Sequence, residues 1–138
     1  MTKFQKLFEP IRIGNVTIKN RLAFLATQTL FSTQGHVGER LINYYEARAR
    51  GGAGLIIVGI VFPFNWDDFN VLRLHNDSLI PEYKRLTDVI HRYNAVTFAQ
   101  VGIEHVWRKS LNEPNEVVGP SGIPIVKSRP VVRTLTIP

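Results

Sequence analysis

The glutamine in the stretch AVTFAQVG (residues 95–102) is the side chain whose chemistry most needs an explanation. The residues around Gln100 are small or apolar, a composition that suits a strand buried on both faces. A primary amide carries two donors and an acceptor, and its burial is costly unless they are satisfied. Gln100 also stands near the carboxyl end of this strand, where parallel α/β proteins collect their ligands. It is therefore a candidate binding residue.

A second polar segment, LATQT (residues 25–29), follows the first strand predicted from the sequence. It would share the same edge of a parallel sheet with Gln100. The adjacent C=O and NH₂ groups of a glutamine complement an N–H beside a carbonyl, the pattern on the pyrimidine edge of a flavin. From the residues alone, an amide satisfied by neighbouring backbone is the preferred interpretation, and the flavin is the alternative.

The order of elements predicts an α/β protein, with one domain over residues 1–138. A short β-hairpin is expected at residues 11–18, and mostly apolar strands near 21–27, 54–62 and 95–101. Two amphipathic helices, ERLINYYEARARGG and LIPEYKRLTDVIHRY, separate these strands. Gly51 and Asn94 are expected to end them. Strands joined through helices pair in parallel with right-handed crossovers.

Composition narrows the classes of partner. The formal net charge is +6, but the basic residues are scattered, so a nucleic-acid partner is not expected and a phosphate-bearing ligand is compatible. The longest apolar run, GLIIVGIVF, is too short to span a bilayer, and no membrane partner is expected. The absence of cysteine fits a cytoplasmic protein. No metal site is expected, because the histidines lack metal-binding spacing; they are His36, His75, His91 and His105.

Four segments together resemble the N-terminal part of the old yellow enzyme family, the NADH:flavin oxidoreductases that include 2,4-dienoyl-CoA reductase. The segments are LFEPIRIGNVTIKNRL, ERLINYYEARARGGAGLIIV, SLIPEYKRLTDVIHRYNAVTFAQVG and GPSGIPIVKSRPVVRTLT. The resemblance implies the N-terminal portion of a (β/α)₈ barrel, about three βα units preceded by the hairpin. It also implies noncovalent FMN, reduced by NAD(P)H, which passes hydride to an activated alkene such as an enone or enoyl thioester.

The resemblance assigns flavin contacts position by position. The segment after the first strand falls on Leu25, Ala26, Thr27 and Gln28, and Gln28 stands where a redox-tuning hydroxyl or thiol is usual. Ile60 stands where a small residue is usual, so its side chain would crowd the flavin. Gln100 matches the flavin-contacting glutamine of the family. The family's His-Ala-Gly-Arg stretch is replaced by IEHVWR, so His105 receives no role.

The resemblance also predicts an incomplete site. A barrel of this type takes ~250 residues, and the residues that bind the substrate carbonyl in the family would follow this segment, so the catalytic residues are unknown. A fragment of an FMN-dependent oxidoreductase acting on a small-molecule substrate is the favoured interpretation. The alternatives are a chain that closes a barrel with itself or a complementary fragment, and an inactive partial barrel that serves as a binding module. An iron–sulfur cluster in a longer parent stays open.

Overall fold

The computed structural model describes residues 3–63, 65, 70–102, 117–119 and 132–134. The chain forms two compact units, residues 1–102 and 103–138. In the second unit two short strands, β7 (Val117–Gly119) and β8 (Val132–Thr134), pair in parallel. His105 and most of the segment GPSGIPIVKSRPVVRTLT lie outside the described residues.

The first unit opens with the hairpin predicted at residues 11–18. Strands β1 (Ile11–Ile13) and β2 (Val16–Ile18) pair antiparallel across a turn in which Gly14 has a φ of 57°. This left-handed conformation is one that glycine adopts without steric cost. A short 3₁₀ turn, Gln5–Phe8, precedes the hairpin.

A parallel sheet organised around one central strand follows the hairpin. The four strands are β3 (Ala23–Phe24), β4 (Leu55–Phe62), β5 (Leu72–Arg73) and β6 (Val96–Val101). β3 and β5 pair with opposite ends of β4 on one side, and β6 pairs along its other side. Because the strands are parallel, the carboxyl ends of β3, β4 and β6 all point toward the same edge of the sheet, although β3 ends beside Ile56.

Two helices of similar length cover one face of the sheet. They are α1 (Glu39–Arg50) and α2 (Ile80–His91). The stripe that α1 presents to the core is almost fully buried; it is Leu41, Ile42, Tyr45 and Ala49. These side chains form one cluster with Ile56 and Val58 of β4 and with Leu86 and Ile90 of α2. Packing of the helices against β4 therefore supplies the apolar core of this unit.

The helix ends show how local chemistry sets the boundaries. Gly52, with a φ of 101°, takes the left-handed position after α1, whereas Gly51 has an ordinary φ of −70°. Gly51 thus follows the last residue of α1 as expected, and the left-handed conformation falls one residue later. Asn94, with a φ of 53°, takes the left-handed position after α2, a conformation that asparagine tolerates better than most residues.

Two strands differ from what the residue pattern predicts. The strand expected at 21–27 is reduced to Ala23–Phe24, because the register with β4 gives it only two paired positions. β5 lies in a stretch whose composition predicts a loop, and it exists because Leu72 and Arg73 pair with the end of β4. Within the described part of the chain, no helix is long and apolar enough to cross a membrane.

Candidate functional site

Gly59 lies within β4, between a residue that follows β3 and one near the carboxyl end of β6. A Cβ atom placed on Gly59 would lie 2.6 Å from Ala26 Cβ, which follows β3, and 2.9 Å from Gln100 Oε1 on β6. Such distances are too short for any side chain larger than glycine without movement of a neighbour. The side chains of Ala26 and Gln100 thus flank the Gly59 backbone at the carboxyl edge of the sheet.

Tyr45 of α1 contacts Gly59 from the helix layer. The Gly59 N–H donates a long hydrogen bond of 3.4 Å to the Tyr45 hydroxyl, and Tyr45 is fully buried. Burial raises the pKa of Tyr45 above its usual value, and the hydrogen bond from Gly59 opposes that rise in part. At neutral pH the phenol is therefore uncharged and can act as the acceptor for Gly59.

A small pocket opens beside Gly59, between the β3–α1 loop and the segment that leads into β5. It is lined by residues of three segments: Gln28–Leu30 and Ser32, Gly59 and Ile60 of β4, and Asn70–Leu72. Ser32 is 4% exposed, and its hydroxyl has no hydrogen-bond partner among the described residues. The lining is mixed, with the polar side chains of Gln28, Thr29 and Asn70 beside the apolar Ile60.

The structure brings four of the six expected site residues to the pocket or to Gly59, and leaves the side chains of the other two exposed. Gln28 and Ile60 line the pocket, and Ala26 and Gln100 meet at Gly59. Leu25 is 66% exposed, and the Thr27 hydroxyl donates to the Leu25 carbonyl at 3.3 Å. The Ile60 side chain lies toward Gly102, because a Cβ added there would be 3.1 Å from Ile60 Cδ1.

The expectation that Gln100 is buried was wrong. Exposure increases along β6, from half-buried Val96 to exposed Gln100 and Val101. Among the described residues β6 pairs with β4 alone, so the second side of the strand and its carboxyl end remain uncovered. The amide of Gln100 is therefore exposed, with its oxygen near Gly59 of β4, and does not require satisfaction by neighbouring backbone.

Gly59 and Tyr45 are the site residues that the expected list omits. An isolated glycine within an apolar strand indicates a bulge or a close approach of another group, and the pairing of β4 with β6 does shift register between Val58 and Val61. The run LIIVGIVF thus carries a readable signal for Gly59. The hydroxyl of Tyr45 gives no such signal, because its position in the apolar stripe of α1 predicts only core packing.

Comparison with known proteins places this arrangement in a family. The model of the NADH:flavin oxidoreductase / NADH oxidase family matches residues 6–128. An NADH oxidase of Thermoanaerobacter brockii is 39% identical over 131 residues, which is 90% of this chain and 20% of that protein. An NADPH dehydrogenase of Listeria monocytogenes serotype 4a is 33% identical over 130 residues, 86% of this chain and 36% of that protein.

Solved structures give the same assignment. The old yellow enzyme of Trypanosoma cruzi superposes with a TM-score of 0.71 at 25% identity, covering 96% of this chain and 43% of that one. The predicted fold class is confirmed: the first unit is the N-terminal portion of an α/β barrel, about three βα units after a hairpin. The chain spans less than half the length of these relatives. It belongs to the NADH:flavin oxidoreductase / NADH oxidase family.

Proposed function

We propose that this chain contributes one wall of an FMN site in an oxidoreductase that takes hydride from NAD(P)H and delivers it to an activated alkene. The observation that carries the proposal is the meeting of Ala26, Gly59 and Gln100 at the carboxyl edge of the sheet. Ligands of parallel α/β folds bind at this edge. Membership of a flavin oxidoreductase family supports FMN as the ligand.

The residues present fit the edge of a flavin ring. Gln100 is exposed, so its amide can donate to a ring carbonyl and accept from the adjacent ring N–H. Ala26 and Gly59 are small residues, so neither places a bulky side chain beside Gln100. When bound, FMN would supply the hydride chemistry, while these residues bind and orient it.

Two other residues would shape the same site. Gln28 lines the pocket, where its amide can hydrogen-bond the ligand in place of the hydroxyl or thiol that the family usually has. Ile60 adds branched apolar bulk beside Gly59, and only its backbone can contact the ligand without crowding it. The Leu25–Gln28 segment would contact the flavin through its backbone N–H and C=O groups, because the side chains of Leu25 and Thr27 are exposed.

We also propose that a partner pairs with the second side of β6. Phe98 and Val101 expose 38% and 55% of their surface on a strand that pairs with β4 alone among the described residues. A strand with an unpaired edge and exposed apolar side chains is a template for further pairing. A second copy of the chain or a complementary barrel segment would complete the sheet and give the small-molecule substrate its remaining contacts.

Titration with FMN tests the proposal. The measured quantities are the dissociation constant and the shape of the visible flavin absorption band, for the chain itself and for Gln100→Ala. The substitution should weaken binding by roughly 1–3 kcal/mol, the usual result when polar groups lose their partners. Gln5→Ala, which removes an exposed glutamine from the N-terminal 3₁₀ turn, is the matched control and should leave the affinity unchanged. Equal affinity for the two variants would remove Gln100 from the site.

A further inference from the structure

Arg73 is a buried cation at the centre of the loops around the pocket. It is the last residue of β5 and only 7% of its surface is exposed. Arginine is rarely buried to this extent unless it is held by several polar groups. The groups that hold Arg73 belong to separate segments of the chain.

The guanidinium group bridges two of these segments. It donates hydrogen bonds to the Gln34 carbonyl, in the β3–α1 loop, and to the Asn65 side-chain oxygen, which follows β4. The backbone of Arg73 adds two further contacts. Its N–H donates to the Gly35 carbonyl at 3.3 Å, and its carbonyl accepts a 2.8 Å hydrogen bond from the Tyr83 hydroxyl of α2.

The turn that meets Arg73 is shaped around it. Gln34 and Gly35 have φ values of 52° and 87°, and the His36 N–H donates to the Thr33 carbonyl at 3.0 Å. Two central residues with positive φ are typical of a type I′ turn. A Cβ on Gly35 would lie 2.0 Å from Arg73 Nε, so the turn and the guanidinium group are in direct contact.

The same contacts fix the pocket. Part of its lining comes from Gln28–Leu30 and Ser32, which lead into the turn, and part from Asn70–Leu72, which lead into Arg73. The guanidinium group is planar and has five N–H donors, so it can bind the Gln34 carbonyl and the Asn65 side chain at the same time. A lysine ammonium group is a compact point charge and cannot make this planar contact. Arg73 consequently ties the β3–α1 loop to β5, while Glu82 of α2 holds the same loop farther along, at His36 and Val37.

We infer that Arg73 is a positioning residue that holds the β3–α1 loop in the conformation that forms the pocket. If the proposed function holds, Arg73 thereby sets how tightly the residues of the Gln28–Ser32 segment bind the flavin. Arg73 itself need not touch the ligand. Its removal should free the turn locally and weaken the flavin through Gln28, while the sheet beneath keeps its pairing.

Hydrogen exchange and FMN titration of the whole chain test this inference together. In Arg73→Met the amides of residues 33–37 should exchange roughly tenfold or more faster, as expected for local opening, while those of Leu55–Val58 in β4 keep their protection. FMN affinity should fall ~10-fold, the scale of one hydrogen bond lost between Gln28 and the flavin. Arg73→Lys should recover only part of either effect. The control is Arg85→Met, since Arg85 forms an exposed ion pair with Glu39.

Hydrogen exchange and FMN titration distinguish a failure of the positioning role of Arg73 from a failure of the proposed function. Unchanged exchange at residues 33–37 in Arg73→Met overturns the positioning role, whatever the flavin does. Faster exchange with unchanged FMN affinity overturns the link from Arg73 to the flavin. If the unsubstituted chain binds no FMN, the proposed function fails, but the exchange measurement still decides the role of Arg73. Should Arg73→Met not fold, Gly35→Ala perturbs the same contact from the turn and is expected to raise the same exchange rates.

Discussion

Gly59 and Gln100 lie so close that a side chain on the first would displace the second. A Cβ on Gly59 would be 2.9 Å from Gln100 Oε1 and 3.2 Å from Gln100 Cβ. On its other side the same atom would meet Ala26 Cβ at 2.6 Å. Glycine at this position therefore lets β4 pass beneath two flanking side chains while their outer surfaces stay open to a ligand.

Gly59→Ala should reduce both stability and FMN affinity. The added methyl group must push Ala26 or Gln100 away, and overpacking of this kind typically costs about 1–3 kcal/mol. Displacement of the Gln100 amide should weaken FMN further. The measurements are the free energy of unfolding in urea and the FMN dissociation constant.

Gly38→Ala is the comparison for Gly59→Ala. A Cβ on Gly38 meets nothing within 4 Å, and the residue precedes α1, away from the strand ends. Its stability cost should be limited to the preference of a helix N-cap for glycine over alanine, about 1 kcal/mol, and FMN affinity should stay unchanged. If the two alanine variants lose the same stability and neither loses FMN affinity, Gly59 has no special role.

Ile60→Ala should have opposite effects on FMN affinity and on stability. The Ile60 side chain is half-buried against Gly102, so its truncation removes packing and lowers the free energy of unfolding. The same truncation removes bulk beside Gly59, and FMN should bind more tightly by about 1 kcal/mol, the lower end of overpacking costs. Isothermal titration with FMN measures the gain.

Ile57→Ala separates crowding at the site from general loosening of β4. Ile57 lies on the same strand, and the substitution removes the same atoms three residues from Ile60, toward the amino end of β4. It should lower stability without any gain in FMN affinity. A gain in both variants, or in neither, would contradict crowding by Ile60.

The elements with a strong apolar pattern were predictable from the sequence. β4, expected at 54–62 and observed at Leu55–Phe62, is a continuous apolar run long enough to be read as a buried strand. The stripe of α1 falls on one face because four apolar residues recur at helical spacing, and all four are buried. Local pattern was sufficient here because tertiary burial and local propensity agree.

The parts set by distant contacts were not predictable. β5 is two residues long and exists because of its pairing with β4, which no local pattern reports. Arg73 gives no hydrophobic or charge signal that marks it as buried, since the Gln34 carbonyl and the Asn65 side chain that accept from its guanidinium group are brought to it only by folding. The exposure of Gln100 depends on what covers β6, and a composition suited to burial carries no information about its neighbours.

Tyr83 should make stability fall at alkaline pH. Burial, with the negative charge of Glu82 as a smaller cause, raises the pKa of Tyr83 well above its usual value of 10.0. Because the unfolded tyrosine ionises first, its contribution to stability is fully present below about pH 10 and is lost as the pH rises toward the folded pKa. Buried Tyr45, whose pKa is also raised, acts in the same direction.

Urea unfolding at a series of pH values from 8 to about 12 checks this expectation. Tyr83→Phe should flatten the alkaline decline by up to about 1.4 kcal/mol per pH unit, the slope for one proton. The same variant should be less stable than the unsubstituted chain at pH 8, by about 1 kcal/mol, because the Tyr83 hydroxyl no longer donates to the Arg73 carbonyl. An identical alkaline slope in both chains would mean that Tyr83 ionises normally in the fold.

Exposed side chains on β6 should make the chain associate. Val101 exposes 55% of its surface at the carboxyl end of a strand whose one described partner is β4. Sedimentation velocity over a range of concentrations should therefore show species larger than one chain. Val101→Lys should shift the distribution toward the monomer, because a charged lysine on an edge strand opposes further pairing.

Ile80→Lys distinguishes strand pairing from general hydrophobic association. Ile80 is 60% exposed, comparable to Val101, but it begins α2, where the backbone groups are committed to the helix. If β6 is the surface that associates, Ile80→Lys should leave the distribution unchanged while Val101→Lys shifts it. An equal response to both substitutions would show that association follows exposed apolar area, and the open side of β6 would lose its place in the assembly of the barrel.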